Sequence, residues 1–184
     1  MKLTPIALVV FATCGSVLAE DTHRQQDAHV HGHAELNLAI SGNTVQLEFD
    51  SPAMNLVGFE NPPSSGKDRK LVDDSVEFLN NPSGWIGLAS SAGCTVTQVD
   101  VESSLVQSHS HEEHAHEKDN EDQHADFEVS VEFQCKDTDQ LENVDLSGLF
   151  QRFSGFDEIE VQWLTDRIQS STELNAQNPI ISLR

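Results

Sequence analysis

The sequence predicts an α+β fold: an antiparallel β-sheet domain with one main helix and short helical turns, one disulfide and one disordered His/Asp/Glu-rich loop. Three observations carry this reading. Apolar and polar residues alternate on both sides of Ser41-Gly42-Asn43. Leu71, Val72, Ser75, Val76 and Leu79 recur at helical spacing. Phe127, Val129, Val131 and Phe133 alternate with Glu128, Ser130, Glu132 and Gln134, as on a half-buried strand.

Taken in order, residues 1–19 read as an export signal. Lys2 precedes an apolar run from Leu3 to Ala12, and Val17-Leu18-Ala19 suits a signal peptidase, so cleavage is expected after Ala19. The run is too short to span a bilayer, and no stable membrane anchor is expected. The alternative is lipidation at Cys14, although Phe11-Ala12-Thr13 matches the usual Leu-Ala-Gly poorly. Residues 20–28 are polar and without periodicity, a flexible lead-in to a single domain over 29–184.

From there Ala34, Leu36, Leu38 and Ile40, then Val45, Leu47 and Phe49, form the arms of a β-hairpin around Gly42-Asn43. Ser51-Pro52 opens a helical turn to Val57, stopped by Gly58. The main helix spans about 67–80, with Ser65 and Asp68 as a capping box and Asn80-Asn81-Pro82 as its end. A short strand is expected over 85–88, and the β-branched stretch 94–106 reads as a further strand. Leu146, Leu149, Phe150 and Phe153 suggest a short helix, with Gly155 as its stop. Ile159, Val161 and Trp163 mark another strand, and 168–174 and 179–183 read as edge strands.

The chain carries 10 Lys and Arg against 31 Asp and Glu in 184 residues, a charge of −21. Removal of Lys2 with the signal leaves 9 cations against 31 acids, or −22. Such a surface argues against nucleic acid, which is held by Lys and Arg on phosphates, and against anionic membranes. After export two cysteines remain, Cys94 and Cys135. A pair of cysteines in an oxidising compartment is expected to form a structural disulfide, with two buried free thiols or a zinc site as alternatives. If Cys94 stood opposite Cys135, Val99 and Val101 would face away from Phe127 and Val129. A β-bulge corrects that phase, or the two strands are not simple neighbours.

All nine histidines fall in two segments. His29, His31 and His33 are spaced by two, so an extended strand places their rings on one face. Alternate residues lie about 6.7 Å apart, within reach of a shared zinc for two imidazoles; a third needs a bend at Gly32, or Glu35 as substitute. His109, His111, His114, His116 and His124 lie within 108–126, beside seven acids and Lys118. With no aliphatic residue larger than alanine, the stretch 108–125 cannot bury a core and is expected to be a disordered, metal-trapping loop.

An enzyme is not expected. His111-Glu112-Glu113-His114 lacks the four-residue spacing of a zinc-protease helix. Neither a glycine-flanked nucleophilic serine nor a phosphate-cradling glycine loop is present.

Two stretches, His29-Val30-His31-Gly32-His33-Ala34-Glu35-Leu36-Asn37 and Ser51-Pro52-Ala53-Met54-Asn55-Leu56-Val57-Gly58-Phe59-Glu60, resemble the signatures of ZrgA-type periplasmic zinc-uptake components. The Cys94–Cys135 pair flanking a loop rich in His, Asp and Glu is similar to the family plan, and the resemblance covers essentially the whole mature chain. It implies a periplasmic protein that captures Zn²⁺ as cargo and assists an inner-membrane ABC-type transporter when zinc is scarce. Carried over by position, its ligands are His29, His31, His33, His109, His111, His114, His116 and His124. Asn61 stands where a histidine is expected after Glu60, which removes one possible ligand. Zinc affinity is expected to weaken as pH falls through about 6.5, because metal needs neutral imidazole. The rival readings are an envelope interaction module that binds metal adventitiously and a buffer for copper or nickel.

Overall fold

Residues 30–106 and 124–183 are described by a computed structural model. The expected signal and lead-in, His29, and His109 to His116 lie outside these described residues.

Period-two alternation builds the first hairpin, β1 (His33–Ser41) and β2 (Thr44–Pro52), joined at Gly42-Asn43 with Gly42 at φ +54. The chain turns directly into α1 (Ala53–Val57), which Gly58 ends at φ +84. Next comes the main helix, α2 (Gly66–Leu79), capped as expected: Ser65 Oγ accepts from the Asp68 N–H, and the Asp68 carboxylate accepts from the Ser65 N–H. Its buried face is Val72, Ser75 and Leu79.

Further along come β3 (Gly87–Leu88), β4 (Thr95–Glu102), β5 (Asp126–Gln134), β6 (Asn143–Asp145), α3 (Ser147–Arg152), β7 (Glu158–Thr165), β8 (Gln169–Leu174) and β9 (Ile180–Ser182). Among the described residues the strands form a six-stranded sheet, ordered β4-β5-β2-β1-β7-β8, and a three-stranded sheet, β3-β6-β9. Pairing is antiparallel except between β1 and β7, which run parallel. A parallel pair needs a long crossover, and here β2 to β6 and the helices α1 to α3 lie between the two strands in the chain.

Cys94 and Cys135 form a disulfide. They flank the first β4–β5 pair, Thr95 opposite Gln134, and the phase conflict noted above is resolved by a bulge between Val96 and Gln98. Beyond it Val99 faces Val131 and Val101 faces Val129.

One apolar cluster joins the inner sheet face, including Leu36, Phe49, Phe127 and Ile159, to Leu79, Trp85, Leu149 and Ile181. Phe49 sits between Trp85 and Phe156 at centroid distances of 6.2 and 5.9 Å, the favoured range for tilted and edge-on rings. α3 ends at Arg152, with Phe153 as its C-cap, rather than running to Gly155. Gly155 has another role, since a Cβ there would lie 2.3 Å from the Asn55 carbonyl oxygen. The glycine permits close approach to α1. Among the described residues no helix is long and apolar enough to cross a membrane.

Candidate metal centre

Three segments meet where β1 begins. The first is the turn 30–33, closed by a hydrogen bond from His33 N–H to the Val30 carbonyl. The second is α1 and the residues after it. The third is the entry to β5, tied to α1 by a hydrogen bond from Ala53 N–H to the Ala125 carbonyl at 2.8 Å. Gly58 takes the left-handed conformation that glycine adopts without penalty, and the chain then leads to Glu60.

Glu60 lies between two imidazoles. His31 Nε2 is 3.0 Å from its Oε1, and His124 Nδ1 is 2.5 Å from its Oε2. The Glu60 side chain is 9% exposed, whereas those of His31 and His124 are 52% and 48% exposed. The carboxylate is therefore nearly buried, and its histidine partners remain open to a solute. A buried carboxylate requires partners, and the ring N–H groups supply them when protonated.

Two imidazoles and one carboxylate form a donor set that suits Zn²⁺. The same nitrogens must shed their protons to bind a cation, so ion entry exchanges hydrogen bonds for coordination. Among the described residues no three His, Cys, Asp or Glu side chains are already spaced to hold a metal ion. Ligand atoms around tetrahedral zinc lie roughly 3.3 Å apart for bonds of about 2.0–2.1 Å. The His31–Glu60 distance approaches that spacing, and the His124–Glu60 distance is shorter.

His33 goes elsewhere. It lies on the exposed face of β1, with Nδ1 3.5 Å from Glu158 Oε1. The separation arises at Gly32, where φ is +91: His31 belongs to the turn before the strand and His33 to the strand itself. The extended arrangement expected for these two rings is not the one adopted.

The exposed sheet face adds an electrostatic feature. Glu102, Glu128, Asp50, Glu35, Glu160 and Glu173 stand opposite one another in a single register row across all six strands. Each is exposed. Like charges directly opposite cost stability, and together they create a negative field beside the histidine turn that concentrates cations.

A family model described as ZrgA family zinc uptake protein matches residues 28–183. The chain belongs to this family. Zinc uptake is thus the setting in which the His31–Glu60–His124 cluster is to be understood. No curated protein matches the chain.

Of the histidines singled out in the sequence, the structure brings together His31 and His124 on one carboxylate and places His33 apart. Glu60 escaped the sequence reading because it is one of 31 acids. Its signal was the setting, a lone acid closing the apolar stretch Leu56-Val57-Gly58-Phe59. Asn55, which hydrogen bonds to the histidine turn, was missed as well.

Proposed function

We propose that this protein is exported to the periplasm, captures Zn²⁺ and delivers it to an ABC-type inner-membrane transporter. The supporting observation is the nearly buried Glu60 carboxylate joined to His31 and His124, half-exposed residues from distant parts of the chain. Family membership supplies the metal, and the acidic face favours cation approach. The capture site is His31, Glu60 and His124, with His29, His33 and His109 to His116 as further ligands. Export follows from the reading of residues 1–19, and delivery to a transporter from the resemblance of the two signature stretches.

Competition with a chromophoric chelator tests the capture step. Wild type is expected to bind Zn²⁺ more tightly than about 10 µM, a free energy of about −7 kcal/mol. Glu60→Gln keeps the shape but removes the charge, and is expected to weaken binding about 100-fold, about 2.8 kcal/mol. A deletion of 109–122, which spares His124, should retain the ordered site. Wild-type binding weaker than 10 µM ends the capture reading. A Glu60→Gln protein within about twofold of wild type places the site elsewhere. Parallel titrations with Cu²⁺ and Ni²⁺ decide metal preference, because nitrogen ligands alone favour copper.

A further inference from the structure

We infer that Asn55 is the positioning residue of this cluster: its carboxamide holds the turn that presents His31 to Glu60. The inference rests on the zinc-capture reading and assigns the part of the molecule on which capture geometry depends.

Asn55 is buried in α1. Its Oδ1 accepts from Gly32 N–H at 2.7 Å, and its Nδ2 donates to the His33 carbonyl at 2.7 Å and to Ser51 Oγ at 3.1 Å. Among side chains of this size, only a carboxamide offers a donor and an acceptor side by side, as the two peptide groups require. The Gly32 carbonyl is held from the opposite direction, accepting from the N–H groups of Asp157 and Glu158 at 2.8 and 3.0 Å. Gly32, the residue between the two histidines, is therefore held at both its N–H and its carbonyl. Gly32 itself sits at φ +91, a conformation that L side chains rarely adopt, and a Cβ there would also displace the Asp157 carboxylate, 2.5 Å away at Oδ2.

Asn55 and Glu60 hang from the same short segment, α1 and its glycine turn. Asn55 fixes the backbone of His31, and Glu60 meets its ring. Both ends of the His31–Glu60 contact are thus referred to one piece of chain, which sets their separation before any ion arrives. His124 comes from the β5 side and meets Glu60 through its ring, whereas the Asn55 carboxamide bonds to Gly32, His33 and Ser51. The effect of Asn55 should therefore pass through His31 and spare His124.

A double-mutant cycle for Zn²⁺ affinity tests this. Asn55→Leu is expected to weaken binding about tenfold or more, as for residues that orient metal ligands. In a His31→Ala background the same change should cost less than about twofold, because its route is already gone. Imidazole NMR should show the His31 resonance moving toward that of a free ring while His124 keeps its position. Val144→Ala, a buried truncation in the small sheet, should lower the melting temperature without moving zinc affinity. Equal losses with and without His31 would overturn the positioning role. So would equal displacement of both ring signals. Should Asn55→Leu not fold, Ser51→Ala takes its place in the cycle, with about threefold weakening expected and the same two refutations. Failure of wild type to bind Zn²⁺ removes the capture reading and the inference with it, an outcome distinct from a wild type that binds and an additive cycle.

Discussion

Replacing Gly155 with alanine tests how the fold supports the His31–Glu60–His124 cluster. Gly155 does not use a positive φ. With nothing nearby, alanine there would stabilise the protein by about 0.4–1 kcal/mol, by restricting the unfolded chain. The structure reverses that sign. The new Cβ would lie 2.3 Å from the Asn55 carbonyl oxygen, 2.7 Å from its Cα and 2.8 Å from its carbonyl carbon, all backbone atoms that no rotamer change can remove. Overpacking costs about 1–3 kcal/mol, and a clash confined to backbone belongs near the upper value. At roughly 2–4 °C per kcal/mol for a chain of this size, the melting temperature should fall by about 9 °C. Because α1 must shift, zinc affinity should fall too. Gly148→Ala is the comparison: its Cβ would lie 2.3 Å from the Gly84 carbonyl oxygen and 2.6 Å from the Trp85 Cα. It should cost similar stability and leave zinc affinity unchanged. Thermal melts followed by circular dichroism, with chelator competition on both variants, read these outcomes. A Gly155→Ala protein that melts at or above wild type refutes the close-packing argument, and equal loss of affinity in both variants refutes its link to the site.

Three further outcomes are expected. Replacing Cys94 and Cys135 with serine opens a crosslink between residues 41 apart and should remove about 4 kcal/mol in the chain-entropy account, read as a lower urea midpoint. Trp85→Phe removes the Nε1 hydrogen bond to the Leu79 carbonyl, 3.1 Å long and buried, and should cost about 1–3 kcal/mol in the same assay. At the start of α2 the Ser65 side chain, aided by Ser64, holds the Asp68 carboxyl below its ordinary value against the opposing effect of desolvation. A depressed folded-state value means the cap's contribution is present above the ordinary carboxylate range and lost as pH falls through the lowered value. Wild type should accordingly lose more stability than Asp68→Asn on acidification, and parallel pH dependences would exclude this contribution.

The elements legible in the sequence were those whose signals are local. Alternation gave the β1–β2 hairpin and β5, helical spacing and the Ser65–Asp68 pair gave α2, and Gly58 marked the end of α1. β6 was missed because three residues carry no measurable period. The parallel β1–β7 pairing was missed because alternation shows which face of a strand is buried and is silent on its neighbour's direction. Gly155 was read as a helix stop because a glycine after a helical run usually is one, and its actual neighbour, Asn55, lies far away in the sequence.

The same division holds at the His31–Glu60–His124 cluster. Sequence by itself determined that histidines were concentrated in two segments, that the chain was strongly acidic, and that its signature stretches resembled those of zinc-uptake components. Only the tertiary structure decided that His31 and His33 part at Gly32, and that Glu60 joins His31 and His124 across separations of 29 and 64 residues. Only the strand register aligned six carboxylates in one row. Spacing along a chain constrains side chains a few residues apart, where backbone geometry sets the distance. Groups farther apart are brought together by the core that folds beneath them, and that core is shaped by the whole sequence at once.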